Sequence, residues 1–152
     1  MDIDLACAWL RAAATAVEVN RDHLTRLDSA IGDADHGTNM HRGFTAVRHV
    51  LDGYRPATVG DVLVKAGNTL ISRVGGAAGP LYGTALRTAG RDLTGARAAP
   101  AELAAALDAG LAAVRRLGSA QVGDKTMVDA FAPAVDALRA SAEAGGDLAS
   151  AA

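Results

Sequence analysis

The sequence predicts an all-α domain, and three observations carry that reading. Half of its 152 residues are hydrophobic but only 3% are aromatic, so alanine, leucine and valine must build the core. Alanine is the best helix former and lets helices pack closely. Proline is scarce, at four residues, and apolar residues recur at three, four and seven, with no long run at period two. The length is that of a single domain with a real core.

The elements follow in order. Leu5, Trp9, Ala13, Val17, Leu24 and Leu27, with Ala12 and Ala16 filling the stripe, predict one long amphipathic helix ending beside Asp28. Trp9 and Cys7 are expected in the core. Met40, Phe44, Val47 and Leu51 mark a second helix that begins just after Gly37 and stops near Gly53 and Pro56. Thr58 with Asp61 predicts an N-terminal cap, aspartate replacing the usual Glu or Gln of a capping box. Val59, Val62, Leu63, Ala66 and Leu70 form the third helix. After the loop VGGAAGP (74–80), a fourth runs from Leu81 to about Arg91, with Pro80 tolerated near its first turn. Pro100 starts a fifth, with the stripe Leu103, Leu107, Leu111 and Val114, ending near Gly118. Val128, Phe131, Val135 and Leu138 mark a sixth, entered around Lys125, in which Pro133 predicts a kink or a late start. Gly145 and Gly146 close it, and a further helix is expected from about Asp147.

The chemistry concentrates in one turn. The stretch from Leu27 to Met40, LDSAIGDADHGTNM, places Asp28, Asp33 and Asp35 between two helical patterns. Aspartates favour helix caps and turns, which explains one of them, or two. Three, followed by His36, Thr38 and Asn39, exceed what a turn needs; carboxylates repel, and hard oxygen ligands at this density suit Mg²⁺. It is no EF-hand: a loop starting at Asp33 puts Phe44 where a bidentate glutamate is required. Gly32 and Gly37 let the backbone bend close to whatever the metal holds. The helix starting after Gly37 points its free N–H groups and its dipole back at that position, which favours phosphate.

Two further loops are weaker signals. VGGAAGP has neither the GxxxxGK[ST] pattern nor a preceding strand, so it is no P-loop, though backbone without Cβ atoms can approach a phosphate closely. Gly118 to Thr126, GSAQVGDKT, reads on its own as a helix–helix loop with Asp124 capping. His23, His41 and His49 have no ligand spacing and are expected at the surface. The net charge of −2 and the lack of a basic stripe argue against nucleic acid or an anionic membrane as main partner. Cys7 is alone, so no disulfide framework or thiolate cluster is expected. The opening MDIDLACAWLR is no signal peptide, and no apolar run is long enough to span a bilayer; the default is a soluble cytoplasmic protein.

Taken together, LDSAIGDADHGTNMHRGF, VGGAAGPLYGTAL and GDKTMVDAFAP resemble the nucleotide-binding subunit of dihydroxyacetone kinase, the DhaL (DAK L-domain) family. The resemblance spans nearly the whole chain. It implies an antiparallel helical barrel with ADP or ATP at one end, its phosphates held by two Mg²⁺ ions. It further implies that Asp28, Asp33 and Asp35 are the metal ligands and that His36, Gly37, Thr38 and Asn39 line the phosphates. Gly76, Ala77 and Ala78 would lie along the glycine loop, with Gly118, Thr126 and Met127 near the base. No residue need act as a general base. The implied partners are a separate DhaK subunit, which holds dihydroxyacetone, and a DhaM phosphohistidine protein that recharges the nucleotide; a homodimer is allowed. Two departures stand out. Ala78 replaces the family's usual serine, and the family's C-terminal segment, with its last helices, is expected to be missing. The alternatives are an ATP-dependent ketose (tetrulose) kinase subunit and a non-catalytic helical interaction module.

Overall fold

The computed structural model describes residues 1–148. Among them it contains seven helices and no strand: α1 Ile3–Val19, α2 Arg21–Asp28, α3 His36–Asp52, α4 Val59–Arg73, α5 Ala78–Arg91, α6 Pro100–Gly118 and α7 Val128–Glu143. From α3 to α7 each helix packs against the next, while α1 lies on α3 and α4, and α2 lies on α3. The fold is the all-α antiparallel bundle the sequence predicts. One core cluster joins α1, α3 and α4 around Leu10, Val47, Val62, Leu63 and Leu70. A second joins α5, α6 and α7 around Leu111, Val114, Val128 and Val135. No helix among the described residues is long and apolar enough to cross a membrane.

The expected first helix is two. Asn20 interrupts it: its backbone has left helical geometry (φ −97°, ψ 6°), and its side-chain amide donates to the Ala16 carbonyl at 2.8 Å. Asparagine competes in this way for helical hydrogen bonds, which makes it a weak interior residue. The buried face of α1 is also displaced from the expected stripe. Ala6, Leu10 and Ala14 are buried, whereas Leu5, Trp9 and, on α2, Leu27 are exposed. Trp9, expected in the core, is 39% exposed. Small alanines bring α1 close to its neighbours, and that close approach outweighs the bulk of Leu5 and Trp9. Cys7 is half-buried against the core, and this burial pushes its thiol pKa up.

Other boundaries shift less. The Thr58–Asp61 cap is formed as expected: the Asp61 amide donates to Thr58 Oγ1, and the Thr58 amide donates to Asp61 Oδ2, each at 2.9 Å. Helix α5 starts at Ala78, ahead of Leu81, with Pro80 in its first turn. Helix α7 starts at Val128 rather than around Lys125, whose φ of 59° is left-handed. It therefore starts three residues late, and it runs past Pro133. The helix expected from about Asp147 falls largely outside the described residues.

Helices α4 and α5 meet along a glycine seam. A Cβ on Gly60 would lie 2.1 Å from the Gly90 carbonyl oxygen, and one on Gly67 would lie 2.5 Å from that of Gly83. Only bare backbone fits there. The seam locks the two helices on either side of the 74–77 loop and so fixes where that loop lies.

Candidate functional site

The aspartate turn is built by its own backbone. Asp28 ends α2, close to the negative end of that helix dipole, an unfavourable place for an anion. It is held there by the opposite pole of the next helix: the amides of Asp35 and His36 donate to its Oδ2 at 2.9 and 3.2 Å. Gly32 packs on the same carboxylate, and a Cβ there would come within 2.1 Å of Asp28 Oδ1. Between Asp33 and Asp35 the chain turns through Ala34, a non-glycine residue with φ 60°. Such strain in a short turn is characteristic of functional segments.

The result is a convergence of charge. One oxygen from each of Asp28, Asp33 and Asp35 can be chosen so that all three lie within 4.8 Å of one another. Asp35 is oriented by Asn39, whose amide donates to Asp35 Oδ2 at 2.5 Å. Asn39 is the buried polar side chain of the core, and its carbonyl accepts from Arg42 Nη2 at 2.8 Å. Arg42 in turn donates through Nε to the Arg73 carbonyl at 2.9 Å, tying α3 to the end of α4. Asp33 makes no hydrogen bond among the described residues. Oδ1 of Asp28, Oδ1 of Asp35 and both oxygens of Asp33 are therefore left for a ligand. An all-oxygen set of this kind fits Mg²⁺.

The three carboxylates open onto a cavity of about 590 Å³, within the range of about 300–1,000 Å³ usual for small-molecule and cofactor sites. Of the residues the resemblance implies, His36, Asn39, Gly76, Ala77, Ala78, Thr126 and Met127 line it. Three expected residues do not: Gly37, Thr38 and Gly118. Gly37 is buried against α2, where a Cβ would sit 1.9 Å from the Arg21 carbonyl oxygen, so it serves packing and not ligand approach. Thr38 is exposed on α3. Gly118 ends α6 beside the Leu81 side chain, one layer behind the wall.

Gly75, Leu81 and Tyr82 also line the cavity and were not foreseen. Helical spacing could have found the last two, since they stand three and four residues beyond Ala78. Burial raises the Tyr82 pKa, so its phenol stays neutral at physiological pH.

The electrostatics of the wall are lopsided. Among the described residues, no lysine or arginine lines the cavity. Of the first N–H groups of α3, that of His36 is taken by Asp28, together with the Asp35 amide just before the helix. The N-terminus of α5 offers a second such end: Ala77 provides no side-chain cap, and Ala77 and Ala78 face the cavity. Uncapped N–H groups at such an end favour an anion.

The third wall is pinned by Asp129. Its carboxylate accepts from the amides of Gly123 at 2.6 Å and Thr126 at 2.9 Å. These bonds hold its pKa below the usual carboxylate value.

Comparison with known proteins places the chain in a family. A family model described as the DAK2 domain matches residues 30–152. The chain is similar to the ADP-binding subunit DhaL of PEP-dependent dihydroxyacetone kinase 1 from Listeria innocua, at 39% identity over 137 residues, covering 90% of this chain and 69% of that one. It is similar to the corresponding Escherichia coli K12 subunit at 42% identity over 137 residues, covering 89% and 65%. It thus spans about two thirds of the length of these relatives. Among solved structures, the dihydroxyacetone kinase of C. freundii superposes with a TM-score of 0.76 at 25% identity, over 93% of this chain and 26% of that one.

Proposed function

The chain belongs to the DAK2 domain family, and from that premise we propose that it is the ADP/ATP-binding subunit of a cytoplasmic dihydroxyacetone kinase. In this reading it holds a Mg²⁺–nucleotide and delivers a phosphoryl group to dihydroxyacetone held on a separate DhaK-type subunit. The observation that carries the reading is the set of free carboxylate oxygens facing an uncapped helix N-terminus across one cavity. A nucleotide diphosphate cannot enter an acidic site bare, so Asp28, Asp33 and Asp35 would hold two Mg²⁺ ions. When bound, these ions neutralise the phosphate oxygens, which is most of what phosphoryl transfer asks of a protein.

The remaining work is positioning. Asp28 and Asn39 fix the carboxylate geometry, the α5 N-terminus donates to phosphate oxygens, and Leu81 and Tyr82 offer an apolar wall for the base. No side chain of the cavity is needed to take a proton from the sugar. The Listeria innocua and Escherichia coli relatives are named as PEP-dependent, which favours recharging of bound ADP by a DhaM-type phosphohistidine protein over exchange with free ATP.

Calorimetry with Mg²⁺ADP tests the binding half, with Asp33→Ala expected to abolish binding while circular dichroism shows unchanged helix content. Normal ADP binding by that variant refutes the ligand assignment. Reconstitution with DhaK-type and DhaM-type subunits tests the transfer half: dihydroxyacetone phosphate is expected from phosphoenolpyruvate. Product formation from ATP alone, or from erythrulose in preference to dihydroxyacetone, overturns the donor or the substrate respectively.

A further inference from the structure

On the outer side of α3 and α4, a groove of about 710 Å³ carries charge of one sign. Arg42, His49, Lys65 and Arg73 line it with Thr45 and Asn68, and no carboxylate among the described residues does. None of the ion pairs among the described residues involves Arg42, Lys65 or Arg73. This stands out on a chain whose net charge is −2.

Two of the cations are held in place. Arg42 is fixed by its bonds to the Arg73 carbonyl and to Asn39. The Lys65 ammonium lies over the Tyr54 ring, 5.5 Å from its centre. Holding the cationic heads in advance lowers the entropy lost when an anion arrives.

The spacing selects the kind of anion. Arg42 and Arg73 share one end of the groove through their hydrogen bond. His49 lies seven residues along α3 from Arg42, and Lys65 eight residues back along α4 from Arg73. At about 1.5 Å per residue the two cationic ends stand about 10–12 Å apart. Two carboxylates four residues apart on one face of an extended segment, about 13 Å between Cα atoms at about 3.3 Å per residue, come within side-chain reach of both ends. One small anion cannot bridge it. A membrane surface would need apolar anchors as well, and the groove offers only Ala46 and Val50. We propose that the α3–α4 groove is a docking surface for an acidic segment of a partner protein. This inference is independent of the nucleotide reading.

The probe is fluorescein-labelled hexaglutamate, titrated into the intact chain by anisotropy at low and high salt. Binding is expected, weakening as salt rises. Lys65→Gln/Arg73→Gln is expected to weaken it by about tenfold or more, with the control Arg115→Gln/Arg116→Gln on α6 within about twofold of the parent. Asn68→Glu, at an exposed position, places an acid in the groove without removing a cation, and is expected to weaken binding likewise. Circular dichroism checks that each variant keeps its helices. Absence of binding, or equal losses in the groove and control variants, overturns the proposal. So does displacement of the peptide by millimolar inorganic phosphate, which indicates a small-anion site. Groove-dependent binding to phosphatidylserine vesicles in place of the peptide overturns it in favour of a lipid surface.

Discussion

Replacing Asp33 by asparagine should stabilise the metal-free protein while removing its response to Mg²⁺. Asp33 is exposed and makes no hydrogen bond among the described residues, so the substitution removes charge and little else. At the outer limit of their separation, 4.8 Å, two unit charges repel by about 0.9 kcal/mol in water. Asp33→Asn removes two of the three repulsive pairs. Screening at 0.1 M salt, where the Debye length is about 10 Å, leaves about 1 kcal/mol of relief. In a domain of this size that raises the melting temperature by about 2–4 °C. The assay is thermal denaturation of parent and variant in EDTA and then in Mg²⁺ADP. The parent should gain stability from Mg²⁺ADP, because a ligand that binds only the folded state stabilises it; the variant should gain little. A variant that melts lower than the parent in EDTA, or that gains as much from Mg²⁺ADP, refutes the reasoning.

Gly37→Ala forces a Cβ to within 1.9 Å of the Arg21 carbonyl oxygen, so α2 and α3 must part, at a cost of about 1–3 kcal/mol or more in urea denaturation. Nucleotide affinity should fall with it, because α2 carries Asp28. Asp129→Asn tests the clip on the third wall. The Asp129 pKa is depressed when folded, so its contribution is present above the usual aspartate pKa and is lost as pH falls through the folded value. Acid unfolding of the variant should therefore be less steep below the usual aspartate pKa than that of the parent. Ala78→Ser restores a hydroxyl beside the α5 N-terminus and should tighten ADP binding several-fold, at about 0.5–1.5 kcal/mol per hydrogen bond; calorimetry reads it directly.

What the sequence made legible was local. Asp28, Asp33 and Asp35 lie within eight residues of one another, so their convergence needed no tertiary information. Gly76 and Ala77 sit in a short loop whose glycines mark it, and Ala78 opens the helix that follows. Thr126 and Met127 are different: GSAQVGDKT alone reads as an ordinary connector, and only the family resemblance placed them at the site.

The failures were matters of packing and of competing hydrogen bonds. Hydrophobic spacing chose Leu5 and Trp9 for the core because bulk was weighed over closeness, yet Ala6 and Ala14 are what the neighbouring helices approach. Asn20 resets the helical phase through one side-chain bond to Ala16, so Leu24 and Leu27 no longer share the face of α1. Gly37 looked like a ligand-approach glycine, but whether a bare Cα faces a ligand or a helix is decided by contacts far along the chain. The capture of the Asp35 and His36 amides by Asp28 was equally invisible, since it depends on the path of the turn between them.

The account rests most heavily on divalent cations sitting among Asp28, Asp33 and Asp35 and sharing a nucleotide's phosphates. The direct measurement is anomalous scattering from crystals grown with Mn²⁺ and ADP. The predicted result is metal density between the three side chains, with the diphosphate bridging it to the N-terminus of α5. Carboxylates turned to solvent with no anomalous peak among them, in a crystal that holds ADP elsewhere, would contradict it.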